Sequence, residues 1–515
     1  MACKPSANHF MIFATGIIAI AGILSIRDAG AEPINVGTER QLFIDDRFVA
    51  ERSNVQCTLQ MPDLQHESLL GPNRPWEKGR ASEWSSILYH AGRFHLWYDA
   101  YQWDPKSQRI RRPTHCYCYA VSDDGIHFEK PDLGLFELAG TNKNNAVIRG
   151  IEAGPVFIDP FAPPEKRFRL IARKQPVGDL WEELAGVDTN VTWMLTSPDG
   201  VHWKRNAEPL IPRHLGATQS VVWDEQLNRW VLYLRAHLPL QSGATRRAFA
   251  RILVDKHGLD KPLPLPANAA HHTSLQREYP IVIDIDDQDK PGAQVYVSNV
   301  FRYPRAQDVQ LAFIPMWYDS RGGFDASDLV EVQLAFSRDG IAWRRPWRQP
   351  IITPGLPGSD SAGQIFPLQH PILVGHELWL YYHGLPEDHL SKTHRKGNNH
   401  LARAIWPDGR FVSLDTFSGE PGEVVTLSIR FEGNRLQLNM NAGASGTVRV
   451  AIEHADGTPV PGFALVDAKS RHGNDLNKIM GWKGNPDLSR LAGQPVRLRI
   501  QMTATRLYGF QFAKE

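Results

Sequence analysis

The chain has 515 residues, with 57 lysines and arginines against 56 aspartates and glutamates. That balance excludes the basic surface with which a protein grips nucleic acid or an anionic bilayer, so neither is expected as a partner. With 15 Trp, 41 Gly and 37 Pro, and without long runs of Ala, Glu, Lys and Leu, the composition reads as strands and turns with aromatic surfaces.

The first element in chain order is a targeting segment. Lys4 precedes an apolar run from Phe10 to Ile26, and Ala29-Gly30-Ala31 stands just before Glu32-Pro33. A basic start, an apolar stretch and an A-x-A site read as a signal peptide over residues 1–31. The run is close to the length of a spanning helix, but its Gly and Ala content and the adjacent A-x-A favour cleavage. Export to the periplasm or beyond the cell is expected, with no membrane attachment after cleavage. What remains, about 480 residues, exceeds what one hydrophobic core organises. It keeps Cys57, Cys116 and Cys118. Cys116 and Cys118 sit at i and i+2 of a strand, poorly placed to bond each other; a bridge from Cys57 to one of them and three buried thiols both stay open.

Residues 32–75 are read as a segment packing on the repeat that follows. That repeat, over 76–414, is announced by SDDGIHF at Ser122, SPDGVHW at Ser197 and SRDGIAW at Ser337, which share S-x-D-G-[IV]-x-[FW]. Degenerate copies begin at Ala248 (AFARILVDKHGLD) and Leu401 (LARAIWPDGRFVSL), which makes five. Each follows an apolar or alternating run, and Asp-Gly is a strong turn dipeptide, so each reads as strand, tight turn, strand. Upstream of each lies an aromatic-rich strand (FHLWYDAY, FRLIARK, WVLYLRAH, VQLAFIPMWY, LWLYYHG), itself preceded by a shorter one. Small antiparallel sheets of this kind bury both faces by stacking radially, so the expected fold is all-β, a five-bladed β-propeller. The Ser and Asp of each turn, similar to the Asp box of sialidases but one residue shorter, are expected to lock hairpins rather than do chemistry. Residues 415–515 alternate polar and apolar positions between Gly and Asp-Gly turns, which predicts a C-terminal β-sandwich.

In a propeller the inner strand of each blade lines the central funnel, so site residues are expected at and above those strands. The carboxylates found there are Glu77 and Glu83 ahead of the first inner strand, Asp159 at the end of the second and Asp360 ahead of the fifth. Asp45 and Asp46 stand in the amino-terminal QLFIDDRFV. Trp76, Trp84, Trp97, Tyr101 and Trp103 crowd the first blade and offer apolar faces to sugar rings. Paired carboxylates beside aromatic platforms are what cleavage of a glycosidic bond needs, one protonated and one ionised. Glu182 and Glu183 beside Trp181 form a further acidic loop without a strand to fix them. DIDDQDKPG at Asp284 lacks calcium-loop spacing and reads as a surface turn. His271, His272, His389, His394 and His400 lack a carboxylate frame. No metal and no cofactor are expected.

The segments QLFIDDRFV, RPWE, FHLWY, SDDGIHFEKPDLGL, FIDPFAPPEKRFRL, VYVSNVFRYP, GSDSAG and RLYGFQF resemble a group of secreted bacterial proteins, common in planctomycetes. Their propeller is similar to the amino-terminal domain of glycoside hydrolase family 32 and to family 43. The resemblance implies three inner-strand acids, and the second-blade Asp-Pro of those enzymes looks like Asp159-Pro160. The W-x-N-D-P-N-G hallmark and a third-blade glutamate-cysteine pair are missing, and GATQSVVWD places Ala217 where the group has an aspartate. The expected function is a secreted glycoside hydrolase acting on a polysaccharide or its oligosaccharides. Asp159 would be its basic or stabilising carboxylate, Glu77 or Glu83 its acid and Asp360 a further contact. The alternatives are an inactive carbohydrate-binding propeller, which fits Ala217, and a sialidase-like enzyme, which needs converging arginines; Arg111, Arg112, Arg246 and Arg247 are available.

Overall fold

The computed structural model describes residues 32–514 apart from 78–79, 82–83, 105, 107–108, 175–180, 213–218, 241–244, 264–278, 392–399 and 418. The expected signal peptide therefore lies outside the described residues. The described secondary structure is strands with short 3-10 turns, so the chain is all-β.

Five units of antiparallel strands follow one another. In the first, Ser86–His90 pairs with Arg93–Asp104, then Arg109–Ser122, then Ala146–Arg149. The second runs Ile151–Ile158, Phe168–Lys174, Trp193–Ser197, Lys204–Arg205. The third runs Ser220–Asp224, Arg229–Pro239, Thr245–Asp255, Ile281–Ile283. In the fourth, Ala293–Val295 and Val300–Arg302 share the edge of Gln310–Tyr318, which pairs with Val330–Ser337. The fifth builds on Gln364–Pro367 and Ile372–Val374, both against Glu377–Leu385, then His400–Pro407; its outermost strand is Asp63–Gln65 from near the amino terminus. One parallel pair, Val330 with Gln364, joins the fourth and fifth.

The second strands of these units are buried almost throughout, as in QLAFIPMWY over Gln310–Tyr318, because neighbouring units cover both faces. A recurring aromatic lock makes the contact. Trp97 Nε1 of the first unit donates to the Gly200 carbonyl of the second at 2.7 Å, and Tyr233 Oη of the third to Gly340 of the fourth at 3.1 Å. Tyr381 Oη of the fifth donates to Gly125 of the first at 2.9 Å, so the last unit seats on the first. Ile87, Phe94 and Leu96 accordingly share a core with Trp379, Tyr381 and Leu401.

Each receiving glycine belongs to an S-x-D-G turn, and the turns are structural, as expected. Ser197 Oγ accepts from Gly200 N at 2.9 Å, and Asp199 Oδ1 accepts from the amides of Val201 and His202, both at 2.9 Å. Ser122 with Asp124 and Ser337 with Asp339 repeat this arrangement. Gly200 has φ +78°, and a Cβ there would lie 2.5 Å from the Trp97 ring. Gly200→Ala should therefore cost about 2–4 kcal/mol, combining left-handed strain with overpacking, read as a lowered midpoint in urea unfolding. An unchanged midpoint would show that the lock is loose.

His370 carries a second test. Half-buried His370 has φ +67°, and its enclosed Nε2 has no partner among the described residues. Burial lowers its pKa from 6.5 to about 4. Between those values the unfolded chain binds a proton that the folded chain refuses, so stability is lost as pH falls from 6.5 toward 4. The loss should reach about 2–3 kcal/mol. Urea unfolding near neutrality and near the lower value should show it in the wild type and much less in His370→Asn, a residue that tolerates the left-handed conformation. Parallel losses in both proteins would refute the assignment.

The carboxy-terminal region forms two facing sheets, but not alone. Ile34–Gly37 and Val49–Ser53 join one sheet, and Gln41–Leu42 and Gln56–Leu59 the other. Besides packing on the repeat, residues 32–75 join these sheets: strands from both chain ends share a core of Phe43, Phe48, Leu438, Val450, Trp482 and Phe510. A strand such as Val496–Thr503 alternates buried and half-buried positions, as one covered face requires. Leu42 and Ile44 also enter the core of the fourth and fifth units beside Tyr303 and Trp406. All three described cysteines are free thiols: Cys116 and Cys118 Sγ lie 3.5 Å apart, beyond a disulfide, and Cys57 is half-buried, its pKa raised to about 11 chiefly by burial.

Candidate functional site

The strand registers separate two ends. Phe94 faces Ser122 and Phe168 faces Ser197, so the S-x-D-G turns share an end with the hairpins that follow the inner strands. Asp159 lies at that end, since its amide donates to the Arg167 carbonyl across the hairpin. Its carboxylate is 2% exposed, accepts from Arg169 Nη2 at 3.0 Å and from Phe161 N at 3.0 Å, and shares Arg169 with Asp260. This corrects the catalytic reading: Asp-Pro closes a turn and anchors a buried ion pair. A cleft of about 510 Å³ also opens at this end, where Arg169 holds Asp260 and the carbonyls of Glu183 and Asn206 hold Arg205.

The first strands of neighbouring units touch one another. Ser86 Oγ accepts from Val156 N at 3.0 Å, Ser86 pairs with Gln369, and Gln369 donates to Asn299 at 2.5 Å. Ser220 and Ser298 exchange a hydrogen bond at 2.8 Å. Small hydroxyl residues let the backbones approach this closely, and just beyond them larger side chains converge. Half-buried Trp84 of the first unit stacks on Tyr296 of the fourth, centroids 6.1 Å apart and planes 7° apart, and lies 5.7 Å from Phe366 of the fifth. His389 packs 4.9 Å from Tyr296, with Nδ1 3.0 Å from Gln364 Oε1.

Arginines surround this aromatic group. Arg247 stands over Tyr296 at 4.6 Å and over Trp317 at 4.8 Å, and Arg321 over Trp317 at 4.7 Å. Glu152, at the start of the second inner strand, accepts from Arg173 Nε at 2.8 Å and also from its Nη2. Arg235 feels Tyr296, Glu152 and Arg173, and burial lowers its pKa. Burial likewise lowers Arg247 to about 10. Behind them, Asp99 and His115 form a fully buried pair, Oδ1 to Nε2 2.9 Å, with Tyr101 stacked on the imidazole at 4.3 Å. Burial, then the Asp99 charge, raises the Tyr117 phenol.

The residues expected from the sequence fare unevenly. Trp84 is in the pocket. Glu83 is outside the described residues, as are Ala217 and the Trp103 side chain. Asp360 is half-buried in the turn leading to Gln364–Pro367. Glu77 is corrected: it is fully buried, accepts from Tyr98 Oη at 2.6 Å, Lys130 Nζ at 2.8 Å and Arg74 N at 3.0 Å, and acts as a tether. Asp46 is corrected too, being 61% exposed beside Arg52 in the two-sheet region, while Asp45 binds Arg338. Trp76 and Trp97 are buried with their indole N–H groups bonded to Asn145 and Gly200, and Tyr101 is buried against His115, so none of these three presents a face to a sugar. Arg246 binds Asp284 and points away from Arg247, as neighbours on a strand must. Asp286 and Asp289 are held by Arg348 and Arg345. Sequence reading missed Asp99, His115, Glu152, Arg173, Arg235 and Tyr296. The available sign was a charge set within strands otherwise buried on both faces, as in FHLWYDAY and WVLYLRAH.

No known protein family and no curated protein matches the chain. Among solved structures it is similar to one described as a glycoside hydrolase, with 10% identity, TM-score 0.42, and 68% of this chain and 93% of that one covered. It is also similar to a fructofuranosidase from Schwanniomyces occidentalis complexed with fructosylnystose, with 10% identity, TM-score 0.38, and 94% and 100% covered. An exo-inulinase from Aspergillus awamori gives 11% identity, TM-score 0.37, and 86% and 100% covered.

Proposed function

We propose that the five units form a five-bladed β-propeller and that the chain is an exported glycoside hydrolase acting on a polysaccharide or its oligosaccharides. The observation that carries this reading is that Arg235 lies within electrostatic reach of Tyr296, of Glu152 and of Arg173, with Trp84 stacked on Tyr296 and Glu152 paired with Arg173. Glycosidic cleavage needs one carboxylate to attack or to activate water and one acid to protonate the leaving oxygen. Glu152 takes the first role. The acid is drawn from the segments entering the first and fifth inner strands, Glu83 beside Trp84 or Asp360. The edges of Trp84 and Tyr296 guide the sugar, and Asp99 fixes His115 behind it as a positioning pair. Hydrolysis of a glycan panel by the wild type and by Glu152→Gln tests the reading.

A sugar-binding propeller without turnover is the second reading, favoured by Ala217 at the position where the resembling proteins have an aspartate. It predicts glycan binding without product.

A further inference from the structure

Several buried arginines of this fold bind carboxylates or amides: Arg169 has Asp159 and Asp260, Arg345 has Asp289 and Gln333, and Arg410 has Asn439 and Asn474. Among the described residues nothing accepts a hydrogen bond from the enclosed Nε of Arg235 or of Arg247, a feature they share with Arg149, Arg169, Arg251, Arg348, Arg403 and Arg471. What sets Arg235 and Arg247 apart is the company of further guanidiniums. Arg247 has one amide acceptor, Gln294 at 3.2 Å, and two aromatic faces. Four guanidiniums, those of Arg173, Arg235, Arg247 and Arg321, act on one another here. Of the three carboxylates acting on them, Glu152 is held by Arg173, Asp319 by Arg321 and Asp328 by the amide of Ser320. Gathering cations in a desolvated place with few acceptors is costly, and burial lowers the pKa of both Arg235 and Arg247.

We infer that the ligand of this pocket is an acidic sugar, a hexuronate whose ring carboxylate seats on Arg235 and Arg247. The inference rests on the proposal that the pocket takes carbohydrate, and it names the class. A planar guanidinium matches a carboxylate through two parallel hydrogen bonds, and such charge-assisted bonds strengthen where water is scarce. The sugar ring accounts for the neighbouring Trp84 and Tyr296, which a free inorganic anion leaves without a role.

Isothermal titration calorimetry on the full chain, at low salt, tests this with D-glucuronate and D-galacturonate, their methyl esters, the neutral hexoses, and inorganic phosphate and sulfate. The acid of at least one uronate should bind ten- to a hundredfold more tightly than its ester. Arg235→Met should weaken the acid by a similar factor while leaving the ester unchanged. Equal affinity for acid and ester in the wild type would overturn the inference, and that comparison does not depend on a variant that folds. So would phosphate or sulfate binding more tightly than either uronate, or an Arg235→Met protein that binds the acid like the wild type. Binding of a uronate without hydrolysis of any glycan would keep this inference and defeat the hydrolase reading. Hydrolysis of neutral glycans without discrimination between acid and ester would do the reverse.

Discussion

Glu152→Gln should lower hydrolysis of whichever glycan the wild type cleaves by about 10²–10⁴-fold, the range that a positioned acid or base contributes. The substitution keeps the side-chain shape and the hydrogen-bonding oxygen facing Arg173, and it removes the charge. Glu152 sits next to Ile151, which pairs with Lys174, so the strand has no reason to move. The side chain is 16% exposed, so the loss of its charge beside Arg173 should lower stability by about 1–3 kcal/mol, with the amide still accepting from Arg173 and the protein still folded. Turnover that survives intact would remove Glu152 from the mechanism and return attention to Asp360 and Glu83. Steady-state rates and a melting curve on the same preparation separate these results.

The second large effect is on stability, at the end carrying the turns. Arg169 is 2% exposed and is held by Asp159 and Asp260. Arg169→Met leaves Asp159 buried without its cation, which should cost about 3–5 kcal/mol, read from denaturant unfolding. Asp159→Asn is milder, because the amide still accepts from Phe161 N and the neutral group needs no countercharge. On the structural reading it lowers the unfolding midpoint and leaves kcat unchanged. A folded Asp159→Asn protein without turnover would reinstate the role that the resemblance to invertases implies.

That contrast shows where sequence reasoning succeeded and where it stopped. The S-x-D-G turns were legible because the bonds that close them are local: Ser197 and Asp199 find their donors within three residues. The sheet order was legible from the repeat for the same reason, each hairpin pairing neighbours. The surroundings of Asp159 were not legible because its ion pair joins Arg169 on the next strand to Asp260 of another unit, which a linear reading cannot bring to it. Glu77 was misread because its three donors include Lys130 and Tyr98, which a linear reading cannot bring to it. The pairing of the amino-terminal strands with the carboxy-terminal sheets was not legible because their partners, such as Ile429–Phe431 for Ile34–Gly37, lie at the other end of the chain.

By itself the sequence determined an all-β chain, with hairpins locked by glycine turns and a partner for them at the carboxy terminus, since these follow from alternation and turn chemistry within a few residues. Only the tertiary structure decided which charges meet. Arg173, Arg235, Arg247 and Arg321 come from three different units and act on one another near Glu152 and Tyr296, the ring on which Trp84 stacks, because sheets packed against one another bring together residues that stand far apart in the chain.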